Sequence, residues 1–98
     1  MTLRHVVCFR WEDAATDEAK EAVRSGLAAL PGRIPEILSY QVGHDTGIRD
    51  TSWDMAVVAE FASSDDFLAY VAHPDHQAVI DERVTPIVAE RVSVQFET

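Results

Sequence analysis

Four stretches of this 98-residue chain alternate apolar with polar side chains, and a segment patterned for a helix lies between the first and second and again between the third and fourth. A period of two marks a strand with one buried face, whereas a period near 3.6 marks a helix with one buried stripe. Leu3, His5, Val7, Phe9 and Trp11 share one face of the first strand, with Arg4, Val6, Cys8 and Arg10 on the other. Thr16 can cap the following helix, whose first turn carries Asp17 and Glu18 and whose stripe is Ala19, Ala22, Val23, Leu27 and Leu30. Pro31-Gly32 ends that helix. A second strand after Pro35 is expected to place Leu38, Tyr40 and Val42 on one face, and the polar run from His44 to Ser52 reads as a hairpin loop. In the third strand Trp53, Met55, Val57, Ala59 and Phe61 form the apolar set, and Arg91 to Phe96 alternates as the fourth.

The order strand, helix, strand, strand, helix, strand is that of an α+β, ferredoxin-like βαββαβ fold, an antiparallel four-stranded sheet with both helices on one face. Residues 1–98 are expected to form one domain. The uncovered face should carry Val6, Cys8, Ala56 and Val58 at its centre, with Arg4, Arg10, Arg91, Asp54 and Glu60 around them. A small apolar centre framed by charges of both signs suits a two-fold interface with a second copy.

Charge narrows the partners. Seventeen acidic residues against seven arginines and one lysine give a net charge of −9, which repels phosphate backbones and anionic lipid, so neither nucleic acid nor a membrane is expected as a partner. No apolar run approaches a membrane span and no signal peptide opens the chain, so a cytoplasmic protein is expected. Cys8 is the only cysteine, which rules out an internal disulfide and a thiolate metal cluster. The four glycines are scattered, so no phosphate-cradling loop is present, and no serine stands in a nucleophile elbow. No metal or cofactor is expected.

Chemistry concentrates between Phe67 and His76, where a phenol and two imidazoles crowd together. Ser63 to Asp66 supplies a cap and early negative charge for a helix carrying Phe67, Leu68, Tyr70 and Val71. His73-Pro74 then interrupts it, because a proline disfavours a helical residue before it and starts a new helix well. Tyr70 lies in the last turn before the break and His76 in the first turn after it, so a bend can bring both to one pocket. The new helix should bury Val79, Ile80 and Val84.

Along nearly its whole length the chain resembles the stress-responsive α/β-barrel (Dabb) family, a branch of the dimeric α/β-barrel superfamily. The matching pieces are Arg4-His5-Val6-Val7 with Phe9, Leu30-Pro31-Gly32, Ile34-Pro35, Val42-Gly43-His44-Asp45, Asp54 to Val58 with Glu60-Phe61, Tyr70 to His76, and Pro86-Ile87-Val88 leading into Arg91-Val92. The resemblance implies a homodimer whose two sheets pack face to face, with a small-molecule pocket between sheet and helices in each subunit. Combined with the registers above, it implies a pocket taking His5, Val7, Val23, Leu27, Met55, Val57, Tyr70, His73, His76 and Val79. Plant polyketide cyclases of this family use a tyrosine and a histidine matching Tyr70 and His76, and a pocket histidine matching His5, for aldol closure without metal or cofactor. Val23 and Leu27 stand where the cyclases carry bulky aromatics, which alters the pocket.

Three readings of function follow. The first is a stress-associated dimer that acts by binding a small hydrophobic carbonyl compound, in which case His73 and His76 fix the helix break and the pocket is filled or narrow. The second is a cofactor-free cyclase-like enzyme, with His76 as general base and Tyr70 as hydrogen-bond donor, in which both residues meet at one void. The third, from the wider superfamily, is a haem-degrading or quinone-forming monooxygenase, which requires a histidine aimed into a wide cleft.

Overall fold

A computed structural model describes all of residues 1–98, in the order β1 (Leu3–Trp11), α1 (Asp17–Ala28), β2 (Ile37–His44), β3 (Met55–Phe61), α2 (Ser64–Ala72), α3 (Pro74–Val79) and β4 (Val88–Glu97). A short 3-10 turn at Leu30–Gly32 follows α1, and a π-type turn at Ile80–Val84 continues α3. The strands form one antiparallel sheet in the order β2-β3-β1-β4, so the two central strands are the first and third in sequence. This is the ferredoxin-like fold that the element order predicts.

Alternation in the central strands decides which face is covered. Leu3, His5, Phe9 and Trp11 of β1 and Met55, Val57, Ala59 and Phe61 of β3 are buried under the helices, joined by Val23 and Leu27 of α1 and by Leu30, Ile34, Tyr70 and Val84. Helix starts are fixed by side chains. Thr16 Oγ1 accepts from the Ala19 amide at 3.1 Å and Ser63 Oγ from that of Asp66 at 3.2 Å, each satisfying a donor that the helix leaves free. In the β2–β3 loop Asp45 accepts from the Gly47 amide at 3.0 Å, and Gly47 holds φ at +80°, a conformation that strains side chains bearing a Cβ.

Three expectations about faces are corrected. Leu38 is 61% exposed and does not share the inner face with Tyr40 and Val42. Ile37 opposes Phe61 and Ser39 opposes Glu60, so Leu38 is the extra residue of a bulge, and Ile37 takes its place against the core. Asp54 precedes β3 and leaves the outer face, where its Oδ2 accepts from the Trp11 amide at 2.8 Å. Arg91 lies opposite Phe9, an inward residue, and so faces the helices. Cross-strand partners share a face, so β4 turns Arg91, Ser93 and Gln95 inward and Val92, Val94 and Phe96 outward. The outer face consequently carries Val6, Cys8, Ala56 and Val58 flanked by Val92, Val94 and Phe96, with Arg4 paired to Glu60 at 3.2 Å and Arg10 to Glu90 at 2.9 Å.

Candidate functional site

Between the sheet and the second helical segment lies a half-open cavity of about 460 Å³. Its floor is Val7, Phe9 and Val57 of the central strands, with His5 at one end, and Leu27 of α1 closes one side. Phe67, Leu68, Tyr70 and Val71 of α2 line it from the helical side with His76, Gln77 and Ile80, while Arg91, Ser93 and Gln95 of β4 continue the sheet side beside β1. The break at His73-Pro74 makes this possible. His73 ends α2 in an extended conformation (φ −63°, ψ 133°), and its Nδ1 accepts from the Asp75 amide at 3.1 Å, capping α3. The chain turns there, and the Tyr70 and His76 rings come to 4.3 Å between centroids.

The same break sets the state of His76. Proline has no N–H, and the Asp75 amide is taken by His73, so the Val71 carbonyl lacks its ordinary helical partner. Two side chains take it up: Gln77 Nε2 donates at 2.8 Å and His76 Nδ1 lies at 3.1 Å. A carbonyl only accepts, so the His76 proton sits on Nδ1 and the Nε2 lone pair is free. Burial holds the His76 pKa below the ordinary histidine value, the Val71 carbonyl pulls the other way, and the neighbouring His73 and Arg91 add smaller depressions. The ring is therefore neutral at neutral pH, the state a general base needs.

His5 has the complementary tautomer. Gln95 Nε2 lies 2.9 Å from its Nδ1, and an amide nitrogen only donates, so Nδ1 accepts and the proton sits on Nε2. Burial, with a smaller contribution from His76, lowers the His5 pKa to about 4. Phe67 packs on this ring at 4.8 Å between centroids.

Tyr70 is buried, and its hydroxyl lies 2.9 Å from that of Tyr40, a residue that sequence reading placed only on a strand face. Burial raises the Tyr70 pKa to about 12, whereas the bond to Tyr40 acts to lower it. Burial also raises the Tyr40 pKa, with Tyr70 adding to the shift. Both phenols thus keep their protons at neutral pH and either can donate within the pair; with Tyr40 as the donor, the Tyr70 O–H is left to donate elsewhere. One buried phenol and two neutral imidazoles of opposite tautomer can offer donors and a basic lone pair to a small molecule without any charged group among them.

Of the ten residues expected at the pocket, His5, Val7, Leu27, Val57, Tyr70 and His76 line the cavity. Val23 and Met55 do not, because each is sealed in the core, Val23 one turn before Leu27 on α1 and Met55 at the end of β3 remote from His5. Val79 packs against the core while its neighbour Ile80 takes the wall position. His73 is occupied as a helix cap. Phe9, Phe67, Leu68, Val71, Gln77 and Ile80 and the three β4 residues were not anticipated. The β4 group follows from pairing alone, since Arg91, Ser93 and Gln95 oppose Phe9, Val7 and His5. His44, read as loop chemistry, pairs with Glu21 of α1 at 2.9 Å.

Known proteins agree with this architecture. A dimeric ferredoxin-like protein of unknown function from Thermobifida fusca superposes with a TM-score of 0.92 at 42% identity, covering 100% of this chain and 92% of that one. The hydroxynitrile lyase of Passiflora edulis shares the fold, with a TM-score of 0.84 at 21% identity over 97% of this chain and 91% of its own. A stress-response A/B barrel domain-containing protein of Arabidopsis thaliana is 26% identical over 95 residues, 96% of this chain, which spans only 36% of that relative's length. The model of the stress responsive A/B barrel domain matches residues 3–98. With that match over nearly its full length, the chain belongs to the Dabb family of stress responsive A/B barrel domains.

Proposed function

We propose that this chain works as a homodimer in which each subunit binds a small carbonyl compound in the cavity between sheet and helices, and that Tyr70 and His76 move a proton at the carbon beside that carbonyl. The observation that carries the reading is the meeting of Tyr70 and His76, 4.3 Å apart between ring centroids, at a cavity of about 460 Å³ that both help to line. A role in binding alone called for a filled or narrow pocket in which Tyr70 and His76 fail to meet. The His76 Nε2 lone pair takes the proton, and the Tyr70 hydroxyl, held by Tyr40, donates to the carbonyl oxygen as negative charge develops there. His5 Nε2–H supplies a second donor to the same oxygen or to a neighbouring one. The apolar floor formed by Val7, Phe9 and Val57 suits a hydrophobic body and strengthens these bonds by excluding water.

Self-association is supported by the outer face, where Val92, Val94 and Phe96 are 52%, 55% and 43% exposed beside Val6 and Val58, and by the dimeric state of the Thermobifida fusca relative. Packing of two such faces should bury roughly 1,200–2,000 Å² in total.

Deuterium exchange tests the proton transfer without knowledge of the natural substrate. With pentane-2,4-dione or acetophenone in heavy water, the protein should accelerate loss of the NMR signals of the protons beside the carbonyl, and His76→Ala should reduce that acceleration by roughly a hundredfold or more. Exchange by both His76→Ala and Tyr70→Phe that is as fast as by wild type would overturn the assignment of both roles.

A further inference from the structure

The cavity is electrostatically unlike the rest of the molecule. The chain carries 17 acidic residues, yet none of the 15 residues that line the cavity is an aspartate or glutamate. One lining residue is charged at neutral pH, and it is Arg91. Arg4, Arg10 and Arg24 are each matched to a carboxylate, Glu60, Glu90 and Glu21 respectively, whereas Arg91 lies in the cavity wall with no ion pair or hydrogen bond. Beside it on the same face of β4, Ser93 Oγ accepts from Gln95 Nε2 at 3.3 Å, so the Ser93 hydroxyl proton is free to donate. An exposed guanidinium and a free hydroxyl thus stand at the solvent side of a cavity whose floor is Val7, Phe9 and Val57.

From this arrangement we infer that the cavity takes an amphipathic monoanion, an aromatic or alkyl carboxylate whose apolar body lies on the strand floor and whose carboxylate is held by Arg91 and Ser93. The inference rests on the cavity being a binding site, as proposed above, and adds the charge of the ligand. A planar guanidinium matches the two oxygens of a carboxylate, and one guanidinium balances a single charge, so the match is to a monoanion and not to a phosphate dianion. The arrangement also orients the ligand. An acid anchored at Arg91 lays its body on the floor that Tyr70 and His76 also border, so that a carbonyl within the body, and not the carboxylate, is the group presented to the Tyr-His pair. Local positive charge inside a shell of net charge −9 further means that the anion is recognised at short range, after it has passed a repulsive surface.

Titration calorimetry with 1-naphthoate and its neutral isostere 1-naphthamide tests the inference on the wild-type protein and on Arg91→Gln, with circular dichroism as the check on folding. Wild type should bind the naphthoate roughly tenfold more tightly than the naphthamide, a gain discounted for the exposure of Arg91. Arg91→Gln should abolish that preference, bringing the two affinities within about twofold of each other, and 0.5 M sodium chloride should weaken the naphthoate complex more than the naphthamide complex. If both probes bind wild type and Arg91→Gln with equal affinity, the anionic ligand is wrong and the cavity remains a site for neutral compounds. If neither probe binds wild type, the cavity reading fails and this inference falls with it.

Discussion

Removing the hydroxyls of Tyr40 and Tyr70 one at a time and then together measures how the candidate donor is held. The two oxygens are 2.9 Å apart, Tyr70 is 2% exposed, and Tyr70 borders the cavity whereas Tyr40 does not. Tyr40→Phe deletes one partner of the pair, but water in the cavity can replace it at the Tyr70 hydroxyl, so the cost should be that of one net hydrogen bond, about 0.5–1.5 kcal/mol. Tyr70→Phe strands the Tyr40 hydroxyl behind the cavity wall, and a buried polar group without a partner costs about 1–3 kcal/mol. The double variant has no hydroxyl left to satisfy and should be no less stable than Tyr70→Phe alone, giving a coupling of about 1 kcal/mol. With a urea dependence of about 1.5 kcal/mol/M for a chain of this size, the coupling corresponds to a midpoint displacement of roughly 0.7 M. Urea unfolding followed by circular dichroism reads it, at a fixed protomer concentration because association adds to apparent stability. Strictly additive losses, with a coupling below about 0.3 kcal/mol, would refute the pairing and leave each hydroxyl solvated on its own.

Other expectations follow from single features. Carbon-detected titration of the imidazoles should show His5 neutral down to about pH 4, and because its folded pKa lies below the unfolded value of 6.5, unfolding takes up a proton between them. Stability should therefore fall as pH drops from 6.5 to 4, and His5→Gln should flatten that part of the profile; an unchanged slope would exclude His5 as its source. Val94→Glu adds a charge at an exposed outer-face position and should convert a sedimenting dimer to a folded monomer at micromolar concentration; a persistent dimer would place the interface elsewhere. Leu38→Ser should change stability by less than about 0.5 kcal/mol, whereas Ile37→Ala should cost about 1–2 kcal/mol; equal costs would contradict the bulge that exposes Leu38.

The central strands were readable because alternation runs unbroken through β1 and β3, and a strand flanked on both sides has its phase enforced by every neighbour. The edge strands were not. In β2 the pattern Leu38, Tyr40, Val42 alternates correctly until a bulge inserts one residue, and no side chain announces a bulge. In β4 both faces are legible, but periodicity cannot say which one the helices cover. Val92, Val94 and Phe96 look like an inner face and are the outer one, which hid Arg91, Ser93 and Gln95 from the site. Tyr70 and His76 could be joined in advance because a proline between them forces a turn. Tyr40 could not, since its partnership depends on how α2 lies across β2, a distance of 30 positions in sequence.

The Val71 carbonyl gives the helix break a meaning beyond geometry. That oxygen is left over where α2 stops, and the side chains that collect it are the Gln77 amide and the His76 imidazole, whose opposite nitrogen is the one proposed as the base. Backbone termination and proton placement are therefore a single trait, inherited or lost together. A lineage that fused α2 to α3 through a substitution at Pro74 would return the carbonyl to an amide and free the ring to flip between tautomers, with every cavity residue unchanged. Within such a family, the residue that separates a chemically poised chain from an inert one of the same fold can be one that touches no ligand.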